Sequence, residues 1–148
     1  MTLVEVGIDI DAPPERVWEL VMDARRLGEW VTIHRKIHKA DGGPPREGMQ
    51  MEQTLCLRHT NFKVKWELTE CSKGRRAVWE GKGPLNSHAK TVYELAPADG
   101  NGTHFQYSNE FTPPGGPLGA AASRVVVGGL PEREAKASLQ KLKSLLER

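Results

Sequence analysis

Cysteine is scarce: Cys56 and Cys71 are the only two in 148 residues. If they lie on neighbouring strands joined by a turn near Thr60–Asn61, Cys56 faces position 64 or 65, and Cys71 sits about seven residues further on, roughly 20 Å away at the usual strand rise. A disulfide needs Cα atoms within about 7 Å, so free thiols in a reducing compartment are expected. Long apolar runs are missing too. No stretch approaches the roughly 20 apolar residues that span a bilayer, so integral membrane association is not expected. The start, "MTLVEVGIDIDAPPE", carries acidic residues early and does not read as a signal peptide, which predicts a cytoplasmic protein. Charge of one sign is also lacking. The formal net charge is +2 and no dense Lys/Arg block occurs, which argues against a nucleic-acid partner. The small basic clusters "RRLGEW" and "HRKIHK" read as solvated faces.

Ordinary globular composition is present, with 38% hydrophobic and 27% charged residues. No repeat or long linker divides the chain, so residues 1–148 are expected to form a single domain. Val4, Val6, Ile8 and Ile10 alternate with polar residues and glycine, which predicts a half-buried strand. "DAPPE" then opens a short helix over about Pro14 to Met22, because prolines are tolerated in a first turn whose N–H groups have no intrahelical use. Asp23 is placed to cap a second short helix that tucks Leu27 and Trp30 inward. Between Thr32 and Gly48 the pattern is weak: Ile33, Arg35 and Ile37 alternate with His34, Lys36 and His38, predicting one strand that "DGGPPREG" ends.

A meander follows. Met49, Met51, Gln53, Leu55 and Leu57 share a face, as do Phe62, Val64, Trp66 and Leu68. Ala77, Trp79, Gly81 and Gly83 come next, then Ser87, Ala89, Thr91, Tyr93 and Leu95. Thr103, Phe105, Tyr107, Asn109 and Phe111 complete the set. Strands at intervals of 10 to 15 residues predict an antiparallel sheet. After "TPPGGPLG" the period changes. Leu118, Ala122, Val125 and Val126 suit a helix that Gly128, Gly129 and Pro131 should interrupt or kink. Ala135, Leu139, Leu142, Leu145 and Leu146 then form the apolar stripe of an amphipathic helix. One strand, two short helices, six strands and a long helix make an α+β domain. The stripe's natural partner is the concave face of a curved seven-stranded antiparallel sheet, and such an arrangement leaves a central cavity.

On these residues the chain resembles a known family. "IDIDAPPERVWELVMDARRLGEW", with Ala12-Pro13, Val17-Trp18, Asp23 and Trp30, is similar to the opening of the polyketide cyclase/dehydrase-like proteins. "NGTHFQYSNEF" resembles their final Gly-Thr strand and "ASLQKLKSLLER" their closing helix. These proteins belong to the START and birch-pollen-allergen (SRPBCC) superfamily, so the resemblance implies the helix-grip fold. It leaves activity open, since relatives include carriers, aromatase/cyclases and hormone sensors.

Tests for chemistry are mostly negative. The histidines are His34, His38, His59, His88 and His104; His34 and His38 share a face by spacing but lack a carboxylate of metalloprotease type, so solvated histidines and no metal are expected. No Gly-x-Ser-x-Gly elbow occurs, and Cys56 falls with Gln50, Glu52, Thr54 and Arg58 on the outer face. "GKG" at 81–83 opens no helix that would cradle phosphate, and no cofactor is implied. "PPGGP" reads as a hinge into the last helix that could also gate the cavity. Glu80, Glu94 and Glu110 fall outward, so no buried acid–base pair emerges. The candidate ligand-binding residues are therefore the inward polar and aromatic ones: Gln53, Trp66, Trp79, Tyr93, Tyr107 and Asn109. Buried amides and phenols need partners, which a ligand, water or the core itself can supply. The first expectation is a binder of a small hydrophobic or aromatic molecule, lipid or polyketide-like. The alternatives are a polyketide cyclase/dehydratase, which needs few catalytic groups if it works by folding its substrate, and a protein-interaction module or homodimer.

Overall fold

A computed structural model describes residues 2–57, 59–112 and 130–148. The expected helix at 118–126 and the "PPGGP" hinge lie outside those residues. Strand β1 (Thr2–Ile10) is followed by α1 (Pro14–Val21), a 3₁₀ turn (Ala24–Arg26) and α2 (Leu27–Trp30). Six strands follow: β2 (His34–Ala40), β3 (Gln50–Leu57), β4 (Thr60–Ser72), β5 (Arg76–Lys82), β6 (His88–Pro97) and β7 (Thr103–Thr112). Helix α3 (Leu130–Leu146) comes last. The seven strands form one antiparallel sheet in the order β1-β7-β6-β5-β4-β3-β2, the curved sheet and closing helix of the helix-grip fold. Among the described residues no helix is long and apolar enough to cross a membrane.

Local chemistry places these elements. Asp23 accepts a hydrogen bond from the Arg25 amide at 3.0 Å and so starts the turn that delivers Leu27 and Trp30 to the core. Pro131 sits in the first turn of α3, where a proline removes no intrahelical bond. The expected interruption by Gly128, Gly129 and Pro131 of a helix at 118–126 lies outside the described residues. The helix lies across β1 and α2. Its far end is tied to β1 by Lys143 Nζ donating to the Asp9 carbonyl at 2.9 Å, and by Glu147 accepting from the Asp11 amide at 2.8 Å. The second half of its stripe, Leu142 and Leu146, is buried in the same core cluster as Ile10, Val17, Leu68 and Phe105.

Three departures from simple alternation matter. In β2 the pairing slips between His34 and Lys36 and again between Ile37 and Lys39, so Arg35 and His38 are extra residues. Burial then recurs every third residue, at His34, Ile37 and Ala40. His34 stands opposite Leu55 and Ile37 opposite Gln53, both inward positions of β3. His34 and His38 therefore do not share a face, contrary to their spacing. A third slip, between Leu68 and Glu70, bends β4. The β3–β4 turn is also tighter than expected: Cys56 pairs with Asn61, which puts Cys71 ten residues along the partner strand. At the usual rise that is about 33 Å, and both thiols are free.

Candidate functional site

Where the far half of α3 packs, its near half stands off the sheet and encloses a cavity of about 580 Å³. The concave sheet supplies most of the wall: Met51, Gln53 and Leu55 of β3, Val64 and Trp66 of β4, Trp79 of β5, Thr91 and Tyr93 of β6, and Tyr107 and Asn109 of β7. Leu27 and Trp30 of α2 and Ala135, Ser138 and Leu139 of α3 close the other side. Leu3, Leu57, Phe62, Phe111 and Pro131, all at one end of their elements, frame the mouth, and Leu3 is exposed there. All six residues singled out from the sequence, Gln53, Trp66, Trp79, Tyr93, Tyr107 and Asn109, line this one space. The two-residue period that β3 to β7 keep at these positions brings them there.

The walls are largely aromatic and the polar groups come in three sets. Tyr93 packs against Trp30, Phe105 and Tyr107 with ring centroids 6.0, 5.5 and 6.1 Å away. Burial drives the Tyr93 phenol far above its ordinary range, and the neighbouring Tyr107 adds to this. Burial likewise pushes Tyr107 up to about 12, against the opposing hydrogen bonds of Thr91 and Asn109. Both phenols stay protonated at neutral pH, so they offer O–H donors and cannot act as bases. Thr91 Oγ1 donates to Asn109 Oδ1 at 3.3 Å. The second set is a chain. Trp66 Nε1 donates to Gln53 Oε1 at 2.9 Å, and Gln53 Nε2 lies 2.8 Å from His34 Nδ1. His34 is thus half-buried and bonded, a correction to its reading as a solvated surface residue. Its burial, with Arg35 beside it, lowers its pKa.

The third set was not foreseen. The Thr32 amide donates to Ser138 Oγ at 3.0 Å, and the Thr32 hydroxyl donates to the Glu134 carboxylate. These bonds pin the segment after α2 to α3 at the cavity rim, and Glu134 and Ser138 both line it. A signal existed, since Ser138 is a polar residue set within the apolar stripe between Ala135 and Leu142. Trp30 Nε1 is buried with no hydrogen-bond partner among the described residues. His38 faces outward and bonds to Thr54 Oγ1 at 2.6 Å. Cys71 is no activated nucleophile, because burial and then Glu47 push its thiol up. Among the described residues no group of three or more His, Cys, Asp or Glu side chains is arranged to hold a metal.

A seven-stranded sheet with a C-terminal helix is a fold shared with known proteins. The family model described as "Polyketide cyclase / dehydrase and lipid transport" matches residues 1–147. The chain belongs to the polyketide cyclase/dehydrase and lipid transport family. An uncharacterised protein of Mycobacterium tuberculosis (strain H37Rv), Rv1546, is 25% identical over 131 residues, which is 86% of this chain and 90% of that one. A protein of the same strain named Toxin Rv0910 is 23% identical over 99 residues, 67% of this chain and 69% of that one. The Zhui aromatase/cyclase from Streptomyces sp. R1128 superposes with a TM-score of 0.79 at 16% identity, covering 99% of this chain and 94% of that one. At that identity the likeness speaks for the fold alone.

Proposed function

We propose that this member of the polyketide cyclase/dehydrase and lipid transport family binds a small hydrophobic or aromatic molecule between its sheet and helix α3. The carrying observation is the cavity of about 580 Å³ walled by Trp30, Trp66, Trp79, Tyr93 and Tyr107. That volume falls within the ~300–1,000 Å³ of small-molecule sites, and apolar walls with a few converging polar groups are their usual make-up. Burial of apolar surface supplies the affinity, at about 25 cal/mol per Å² before the cost of association. Thr91, Tyr107, Asn109 and Gln53 set the orientation.

A thermal-shift screen of neutral lipids and polycyclic aromatics, with tryptophan fluorescence as a second readout, tests this. A ligand at a hundred times its dissociation constant adds about 2.7 kcal/mol, which raises Tm by roughly 5–10 °C in a domain of this size. The control is Ala135→Phe, which projects a ring from α3 into the cavity. Ligands should stabilise the wild type and not the variant. Indifference of the wild type to every compound, or equal shifts in both, would overturn the proposal.

A cyclase or dehydratase activity is the second reading, favoured by the family description and by the two protonated phenols. Held at high pKa, Tyr107 and Tyr93 would orient a substrate's carbonyl oxygens by donating hydrogen bonds, so that catalysis would rest on conformation. Tyr107→Phe, Asn109→Ala and Gln53→Ala with unchanged turnover of a poly-β-ketone substrate would remove these groups from any such role.

A further inference from the structure

The chain Trp66–Gln53–His34 has a direction imposed by chemistry. An indole N–H can only donate, so the atom of Gln53 facing Trp66 at 2.9 Å must be the carbonyl oxygen. The amide nitrogen therefore faces His34 Nδ1 at 2.8 Å, and that ring nitrogen must accept. His34 is held as the neutral imidazole with its proton on Nε2. Of the hydrogens carried by the Gln53 amide, one goes to His34 and the other is the donor that remains. Gln53 is 4% exposed and lines the cavity, whereas His34 lies outside the lining.

The geometry points to His34 as a positioning residue that, from outside the cavity, is the second anchor of the Gln53 amide: it holds the amide plane in the orientation that the Trp66 indole sets, and with it the N–H a bound molecule meets. This rests on the binding function proposed above and deepens it. With His34 neutral, Gln53 offers an N–H to a ligand acceptor. Protonation of Nδ1 sets N–H against N–H. The amide must then break from His34, or turn over and set its nitrogen against the Trp66 indole. Either outcome disturbs a wall residue of the cavity. The surroundings of His34 favour the neutral form: Arg35 on β2 is the charge that acts on it, Gln53 and Leu55 face it from β3, and Gly28 faces it from α2. Glu29, beside Gly28, is engaged by Arg26 at 2.7 Å. The fitting ligand carries a carbonyl oxygen and no negative charge. Among the described lining residues there is no Lys, Arg or His to balance an anion.

The test follows the Trp66 indole N–H resonance in isotope-labelled full-length protein between about pH 8 and 5, assigned by its loss in Trp66→Phe. It should move with the titration of His34, with a midpoint below 6.5, the ordinary histidine value. In His34→Ala the movement should vanish. In His34→Asn, whose side-chain oxygen can accept from Gln53, the high-pH position should persist at every pH. Binding is read with fluorenone and fluorene, which differ by one carbonyl. The wild type should prefer fluorenone, and the preference should fall roughly 2- to 10-fold in His34→Ala, as for one lost hydrogen bond, and survive in His34→Asn. An indole resonance blind to both pH and His34→Ala would overturn the inference, as would a preference unchanged by His34→Ala. If neither compound binds any variant, the binding function fails for this ligand class, while the Trp66 titration still decides the role of His34.

Discussion

Gly81 offers the sharpest test of how the cavity wall is built. It pairs with Trp66 across β4 and β5, on the inner face. A Cβ placed there would lie 2.6 Å from Trp66 Cε3 and 2.7 Å from Val64 Cγ1, where ordinary contact begins at 3.4 Å. In Gly81→Ala the indole must therefore retreat by about 0.8 Å, toward the cavity. Trp66 is held by its bond to Gln53, so the retreat strains that bond as well. Overpacking of this kind costs about 1–3 kcal/mol, or roughly 2–10 °C in Tm for a domain of this length. The mechanism is checked by a double-mutant cycle in urea. With Trp66→Ala already in place, Gly81→Ala should cost at least about 1 kcal/mol less, the remainder belonging to Val64. A glycine in a strand is otherwise unfavourable by about 0.5–1 kcal/mol against alanine. If the overlap were unimportant, Gly81→Ala would stabilise the wild type. A neutral or stabilising effect in the wild type, or an equal cost in both backgrounds, would refute the picture of an indole laid directly on Gly81.

The two tyrosines of the chain both line the cavity, Tyr93 buried and Tyr107 half-buried, so the tyrosinate absorbance that a free phenol shows near pH 10 should be displaced to higher pH or appear on unfolding. Their raised folded pKa values, about 12 for Tyr107, mean that stability is whole below the unfolded value of 10.0 and is lost as pH climbs through and beyond it. His34 and His104 should titrate on opposite sides of 6.5 in an NMR titration. His104 is raised by its hydrogen bonds to Asp9 and Gln106, so its contribution is present below 6.5 and lost as pH rises through its folded value. His34 is lowered, so its contribution is present above 6.5 and lost as pH falls; Asp9→Asn should reduce the His104 shift, leaving the part due to Gln106, and leave that of His34 untouched. Ser138→Ala leaves the half-buried Thr32 amide without its 3.0 Å acceptor and should cost about 0.5–1.5 kcal/mol in urea unfolding, while no loss would mean that water replaces the serine.

Most of the sheet was legible because its signal is local. From β3 to β7, outside the slip in β4, inward residues recur every second position, and counting alone places Gln53, Trp66, Trp79, Tyr93, Tyr107 and Asn109 on one surface. The errors sit where one residue is added without any trace in composition. Bulges at Arg35 and His38 shift β2 by one position twice, and this turns His34 inward and His38 outward. The β3–β4 register was misjudged because the turn is shorter than polar composition suggested, so Cys56 met Asn61. The rim bonds of Thr32 join residues more than a hundred positions apart in sequence. No window of sequence contains such a pair, and only the packing of α3 against α2 brings them together.

A hollow of this size has to be held open. Empty apolar volume costs about 24 cal/mol per Å³, so 580 Å³ left void would cost on the order of 10 kcal/mol, comparable to the whole stability of a domain. In solution the space is therefore filled, by water or by a guest. Water needs two to four polar partners to be content, and much of this wall is tryptophan, leucine, valine and methionine. What prevents collapse is the polar scaffolding. Thr32 ties the α2 side to α3 at the rim, while Gln53 and His34 hold Trp66 back against the sheet. Closing the cavity would break those bonds, one buried and two part-buried, at about 0.5–1.5 kcal/mol each. The same few hydrogen bonds that keep the fold from closing on itself thus leave poorly bonded water to be displaced. Under the proposed binding function, that displacement would supply the thermodynamic reason for an apolar guest to enter.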